Sequence, residues 1–449
     1  MYEDILKMIK PTEEEIKEIK IVIENITSSI YEITKSMDPK IRIEHVGSTT
    51  RGTFLRDKKD IDIFIILPLE YSKDQMKGIV THISENLLKS RVIERYELNY
   101  AEHPYSTMYQ KGYAIDLVPC YSIKKIEDMI SSVDRTPFHN EYIKSRLSDK
   151  QKDEVLLLKA FLRSIGVYGA EAKVNGFSGY LCELLIIYYG DFESTIKNVC
   201  EWKLPVLIDI EGHGKIKDEK LVVVDPVDPK RNVASAVSLE SLSKFISACK
   251  VFKKYPSERF FIPSKRRADK DISKRGTDFV FLLFKIPRIS MDILYPQLKK
   301  ARERIADHLR EEDFVLIRSD FWTDEKKVGI ITLELENIEL SSVKRHIGPR
   351  VYDDFEFQEN FIKKHLNKES TLSGPWIEGE RWVVEKKRSR RNAIESVKDA
   401  LKKDLGKHLT PFIRESKIFL NDEIFHAKVD LEFLEDYLSK TYHWLEVYD

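Results

Sequence analysis

The chain has little cysteine, no long apolar run and no surplus of charge of either sign. Its four cysteines, Cys120, Cys182, Cys200 and Cys249, lie far apart and match no metal-binding spacing. Each sits in or beside an apolar run and reads as a small buried hydrophobe, which suits a reducing cytoplasm. No stretch of about 18 apolar residues is present, so no membrane span is expected. The opening MYEDILKMIKPTEEE does not have the form of a signal peptide. Lysine and arginine total 75, as do aspartate and glutamate, so a partner must be read from where the charges sit. There is no fixed-period repeat and no long low-complexity linker. The 449 residues are enough for about three domains and sizeable cores.

What is present centres on residues 41–67, IRIEHVGSTTRGTFLRDKKDIDIFIIL. A short apolar strand ends in Gly47-Ser48, a polar turn carries Arg51 and Gly52, and a second strand carries Asp60 and Asp62 into an apolar run. Strand side chains alternate, so Asp60 and Asp62 share a face, which Phe64 and Ile66 continue as core. Ile61, Ile63, Ile65 and Leu67 take the other face. Acids at the mouth of a buried strand cost desolvation unless something compensates. A D-x-D alone is often a solvated strand end, but a third acid, Asp116, stands inside another apolar strand, KGYAIDLVPCY. Asp60, Asp62 and Asp116 on neighbouring strands form a hard-oxygen site for two Mg²⁺ about 4 Å apart, the arrangement of phosphoryl transfer. The Gly-Ser turn brings backbone N–H groups and a hydroxyl within reach of phosphates.

Around this stretch, residues 11–36 read as an amphipathic helix opened by a Thr12/Glu15 capping box. Ser72–Leu88 reads as a second helix. Arg91–Tyr100 and Gly112–Tyr121 read as strands, with AEHPYSTMYQK connecting them. Gln151–Ile165 is a helix whose apolar run contains Lys159; its amine either snorkels to water or points at phosphate. Ser178 caps the apolar helix GYLCELLIIYY. DPVDPKRN, 225–232, is a rigid turn with two prolines.

The order Gly47-Ser48, Asp60-Ile61-Asp62 and Asp116 resembles the palm of the DNA polymerase β-like nucleotidyltransferases. With YAEHPY, IDLVPCY, SSVDRTPFHNEY, GVYGAEAKVNGFSGYLCELLIIYYG, VVDPVDPKRNVA and LYPQL, the chain resembles the archaeal class I CCA-adding enzymes, the tRNA nucleotidyltransferases. The likeness is densest over 41–234 and thinner after 300. It implies an α+β multidomain fold: a polymerase β-like catalytic palm over 1–145, a mostly helical central domain over 146–257 that completes the nucleotide pocket, and a tRNA-binding α+β region over 258–449. It implies Mg²⁺ on Asp60, Asp62 and Asp116, with Asp116 helping to activate the primer 3′-hydroxyl. It places the nucleotide on Ser48, Arg51, His139, Lys159 and Tyr168, and base choice on Arg231. For each of these the residue alone also admits a plain reading: Arg51 and Arg231 as surface charges, His139 as a satisfied histidine, Tyr168 as loop packing. His103, in AEHPY, is left out of the site. An arginine offers only donors, so Arg231 alone cannot switch preference from C to A.

From about 257 the chain turns basic at FFIPSKRRADKD. Phe279–Phe284, Phe314–Ser319 and Val328–Leu335 read as strands, Tyr295–Leu309 and Ser341–Ile347 as helices, a small α+β module. Five of the six residues 386–391 are basic. Beside Trp376, Trp382 and a later basic helix, the run points to RNA phosphates. The expected activity is untemplated addition and repair of the tRNA 3′-CCA from CTP and ATP with release of pyrophosphate, in the cytoplasm. A homodimer is left open. The competing readings are a poly(A) polymerase-like transferase, a D-x-D glycosyltransferase and a catalytically silent tRNA-binding protein.

Overall fold

A computed structural model describes residues 1–58, 60–100, 104–214, 219–262 and 271–448. The AEH part of the YAEHPY segment and most of the basic stretch after Ile262 lie outside the described residues. The chain forms two compact units, Met1–Lys265 with Thr441–Asp449, and Arg266–Lys440.

In the first unit the elements run α1 (Tyr2–Ile9), α2 (Glu13–Met37), β1 (Arg42–Val46), α3 (Gly47–Arg51), β2 (Asp60–Leu67), α4 (Lys73–Lys89), β3 (Arg95–Tyr100), β4 (Pro104–Gln110) and β5 (Tyr113–Tyr121). There follow α5 (Thr136–Arg146), α6 (Asp149–Ser164), α7 (Gly179–Tyr189), α8 (Phe192–Val199), β6 (Val206–Asp209), β7 (Leu221–Val224) and α9 (Leu239–Lys254). The Thr12/Glu15 capping box is present, and Ser72 with Gln75 makes a second one at the start of α4. Strands β1–β5 form one sheet in the order β1-β2-β5-β4-β3, parallel between β2 and β5 and antiparallel elsewhere.

The period of two in β2 sorts its side chains. Ile61, Ile63, Ile65 and Leu67 enter the core shared with Ile19, Val22, Ile26 and Ile30 of α2 and Met76, Val80 and Ile83 of α4. Phe64 and Ile66 pack with Val46 and Cys120 on the opposite face, the one that also carries Asp60 and Asp62. Two expectations change here. The turn after β1 is a one-turn helix, α3, in which the Thr50 hydroxyl donates to the Val46 carbonyl at 3.1 Å and which Gly52 ends at φ 71°. The segment expected to connect two strands contains a strand itself. Buried Ser106 and Met108 alternate with less buried neighbours in β4, which pairs with both β3 and β5.

The central helices pack on a second core. Phe161 of α6 lies at its middle, with its ring centroid 5.5 to 6.3 Å from those of Phe192, Phe245, Phe252, Phe260 and Phe261. Ile5 of α1 and Trp444, from the end of the chain, join the same core.

The second unit contains β8 (Asp278–Lys285), α10 (Met291–Glu311), β9 (Leu316–Thr323), β10 (Val328–Leu335), β11 (Val343–Arg350), α11 (Phe355–His365), β12 (Thr371–Glu378), β13 (Arg381–Lys387), α12 (Ala393–Ala400), α13 (Thr410–Arg414), β14 (Lys417–Leu420) and α14 (Glu432–Ser439). One sheet has the order β14-β8-β10-β9 and the other β11-β13-β12. The helix expected over Ser341–Ile347 is instead the edge strand β11. Its exposure alternates, and Gly348-Pro349 falls at a register shift on an edge, where a proline is tolerated.

Candidate active site

All nine residues singled out from the sequence lie in the first unit. The acids come first. Asp62 on β2 stands directly opposite Asp116 on the parallel neighbour β5, and Asp60 lies two residues along the same face. Adjacent strands are about 4.8 Å apart, so Asp62 and Asp116 are held close by backbone pairing alone. Burial, then Asp116, then Asp60 push the Asp62 carboxyl up to about 6, with only the Arg51 charge opposing. Burial also raises Asp116, although Thr107 Oγ1 donates to its Oδ1 at 2.6 Å. Asp60 is more exposed and has Lys58 at 3.6 Å. Val46, the last residue of β1, pairs with Asp62 on the other side. The next residue must be glycine: Gly47 has φ 83°, and a Cβ there would run into Asp62 Oδ2.

Among the described residues no three His, Cys, Asp or Glu side chains converge on one point as an ion would require. The donor chemistry nevertheless fits a divalent cation. Three hard-oxygen groups share one face, and their mutual repulsion is the kind a bound cation relieves.

The nucleotide candidates fall into two groups, each built round a buried acid that the sequence reading did not single out. Glu183 of α7 is fully buried. Its Oε1 accepts from Arg51 Nε at 3.0 Å and from the Thr53 hydroxyl, while Lys159 Nζ lies 3.7 Å away. Arg51 NH1 also donates to Asn140 Oδ1 at 3.0 Å. Lys159 is 1 % exposed and donates to the Thr53 carbonyl at 2.7 Å, so its amine does not snorkel to water. Burial favours the neutral acid, but the charges of Lys159 and Arg51 outweigh it and hold Glu183 below its ordinary range. Tyr168 reaches the same place: a Cβ on Gly179 would lie 3.2 Å from its hydroxyl and 3.4 Å from Lys159 Nζ. Ser48, half-buried in α3, accepts the Thr53 N–H on its carbonyl at 3.0 Å.

His139 and Arg231 form the second group, on Asp225. Asp225 Oδ2 accepts from His139 Nε2 and from Arg231 NH1, each at 2.8 Å. The Tyr180 hydroxyl donates to Oδ1 at 3.2 Å, and its ring stacks on His139 with centroids 4.2 Å apart. Against its burial, the interaction with His139 and then the hydrogen bond from Arg231 hold Asp225 well below the carboxylate range. Helix α5 links the groups, because His139 and Asn140 are adjacent on it. The available signals for the two missed acids were simple ones. Glu183 is the one charged residue in GYLCELLIIYY, and Asp225 opens DPVDPKRN.

Residues 28–147 match the nucleotidyltransferase domain family, 153–262 the second domain of tRNA nucleotidyltransferases, and 275–421 the C-terminal domain of CCA-adding enzymes. The chain is 37 % identical over 456 residues to the CCA-adding enzyme of Methanothermobacter thermautotrophicus, covering 98 % of each. It is 40 % identical to that of Methanosarcina acetivorans over 85 % of this chain and 84 % of the relative. It is 37 % identical to that of Archaeoglobus fulgidus over 96 % and 97 %.

Proposed function

The chain belongs to the CCA-adding enzyme family and is a tRNA nucleotidyltransferase, and on that premise we propose how its residues build and repair the tRNA 3′-CCA from CTP and ATP without a template. Asp60, Asp62 and Asp116 would hold Mg²⁺, which when bound supplies charge stabilisation to the phosphoryl oxygens of the reaction. Asp116, kept in place by Thr107, assists removal of the proton from the primer 3′-hydroxyl. Ser48, Arg51, Lys159, Tyr168 and His139 hold the nucleotide. Arg51 offers a guanidinium whose direction is fixed before the triphosphate arrives, so little side-chain entropy is lost on binding. Arg231 takes part in base choice. Pyrophosphate leaves. The observation that carries this reading is the Asp62–Asp116 pairing across parallel strands, with no cation of the chain hydrogen-bonded to either among the described residues.

The division of labour is 1–145 for catalysis, 146–257 for completing the nucleotide pocket and 258–449 for tRNA. The family matches over 28–147, 153–262 and 275–421 support it. In the second unit, a cleft of about 320 Å³ is lined by Lys344, Lys364, Lys386, Lys387, Arg388 and Arg390 against Glu312 and Asp313. Among the described residues, the Nε2 of buried His365 has no hydrogen-bond partner. Such a surface suits RNA backbone phosphates. No helix among the described residues is long and apolar enough to cross a membrane. The four free, buried cysteines suit a reducing cytoplasm.

The test uses purified protein, Mg²⁺ and tRNA transcripts ending before the tail, after one C and after two C. Each is offered labelled CTP or ATP alone, and products are sized to one nucleotide. The expected result is C addition from CTP up to two residues and a single A only on the CC-ended transcript. A long A tail on all three would replace this reading with a poly(A) polymerase, and tight tRNA binding with no incorporation would replace it with a silent binder.

A further inference from the structure

The acid that anchors Arg231 also anchors His139, and it does so through a single oxygen. Arg231 NH1 and His139 Nε2 are both 2.8 Å from Asp225 Oδ2, so the two nitrogens stand within twice that distance of each other. The carboxylate has no slack. Its Oδ1 accepts the Tyr180 hydroxyl at 3.2 Å and the Val227 N–H at 3.0 Å, and the side chain is fully buried. The turn that carries Arg231 is tied down as well. Asp225 N–H donates to the Arg231 carbonyl at 3.1 Å, Arg231 N–H to the Asp228 carbonyl at 2.9 Å, and Arg135 clamps the Asp228 carboxylate at 2.8 Å. Tyr180, stacked on His139, prevents that ring from turning away. Neither side chain can shift without disturbing the other's anchor. Arg231 commits NH1 to Asp225 while its side chain stays about a third exposed, 32 %.

We propose that Asp225 is a positioning residue for nucleotide choice: it sets Arg231 and His139 as one rigid pair, so that the base which Arg231 accepts and the hold that His139 exerts on the same nucleotide change together. The proposal rests on the nucleotidyl-transfer reading above. An asparagine at 225 would turn an amide N–H₂ or a single weak acceptor toward two donors, which separates the pair without emptying the space.

The experiment measures kcat and KM for CTP and for ATP on transcripts ending in one C and in two C, in wild type, Asp225→Asn, Arg231→Met and the double variant. With Asp225→Asn, discrimination between CTP and ATP on each transcript should fall about tenfold, with KM rising more than kcat falls. In that background, Arg231→Met should add less than about a twofold further loss. Tyr180→Phe removes one bond to Asp225 and keeps the stacked ring. It should move discrimination the same way by about two- to threefold, and it serves if Asp225→Asn does not fold. A purely structural acid would lower kcat/KM for both nucleotides equally, leave discrimination intact in both variants and leave the Arg231→Met loss undiminished; that result overturns the proposal. A wild-type protein that incorporates neither nucleotide overturns the underlying reading, and a wild type that incorporates both leaves the variants to judge the proposal alone.

Discussion

The first unit contains two sets of carboxylates, one half-buried and one fully buried, and they differ in company. Asp62 and Asp116 face each other and Asp60, and burial with mutual repulsion lifts the Asp62 carboxyl to about 6. Glu183 and Asp225 are at least as buried, yet each is matched by two basic side chains, Arg51 and Lys159 for one and His139 and Arg231 for the other. Both are held low. On the proposed reading, the same chemical group calls for a metal ion in one setting and is an anchor in the other. Only the neighbours decide.

The comparison is broken most directly by removing the acids proposed to hold the metal. Asp62→Ala or Asp116→Ala should lower single-turnover nucleotide addition by at least about 10³-fold. tRNA affinity by filter binding should stay within about twofold, since the proposed RNA contacts are elsewhere. Retained addition in both variants would sink the catalytic assignment.

Next in size are the anchors. Glu183→Gln strands Arg51 and Lys159 as buried cations and should cost about 3–5 kcal/mol of stability in urea unfolding at neutral pH. Adding Lys159→Met should recover part of it. A loss below about 1 kcal/mol would mean that Glu183 does not carry the charge balance inferred here.

Asp62→Asn should go the other way in metal-free protein. The folded state holds the Asp62 proton up to about pH 6, whereas the unfolded chain releases it near pH 3.9. The penalty is therefore absent below about pH 4, grows between about pH 4 and 6, and is fully present at pH 7.5. Asparagine should remove it, stabilising the metal-free protein by up to about 2–3 kcal/mol at pH 7.5 and by almost nothing at pH 4. Equal effects at both pH values would remove the electrostatic explanation. Smallest is Asp60→Asn in metal-free protein. That side chain is 63 % exposed, so thermal unfolding should report a change within about 0.5 kcal/mol.

The palm acids were legible because a strand's period of two is strict. Once Ile61, Ile63 and Ile65 are assigned to the core, Asp60 and Asp62 have one place to go. The cap of α2 was legible because Thr12 and Glu15 lie within one turn of each other. The anchors were not, because Glu183 meets Arg51 across 132 residues and Asp225 meets His139 across 86. No local pattern records such pairs. Lys159 shows the cost of this: its place in an apolar run was visible, but not that its amine would meet the Thr53 carbonyl. β11 was misjudged because its residues carry no period of two that marks a buried face: its exposed alternate positions are Val343, Arg345 and Ile347, and Lys344 and His346 take the less exposed face of an edge strand.

The most direct measurement is calorimetric titration of Mg²⁺ into metal-free wild type, Asp62→Asn and Asp225→Asn at pH 7.5, each checked for fold by circular dichroism. The account predicts saturable binding in wild type and in Asp225→Asn and its loss in Asp62→Asn, because the metal is proposed to bind at Asp60, Asp62 and Asp116 and not at the acids already matched by buried basic groups. Undiminished binding in Asp62→Asn would contradict it.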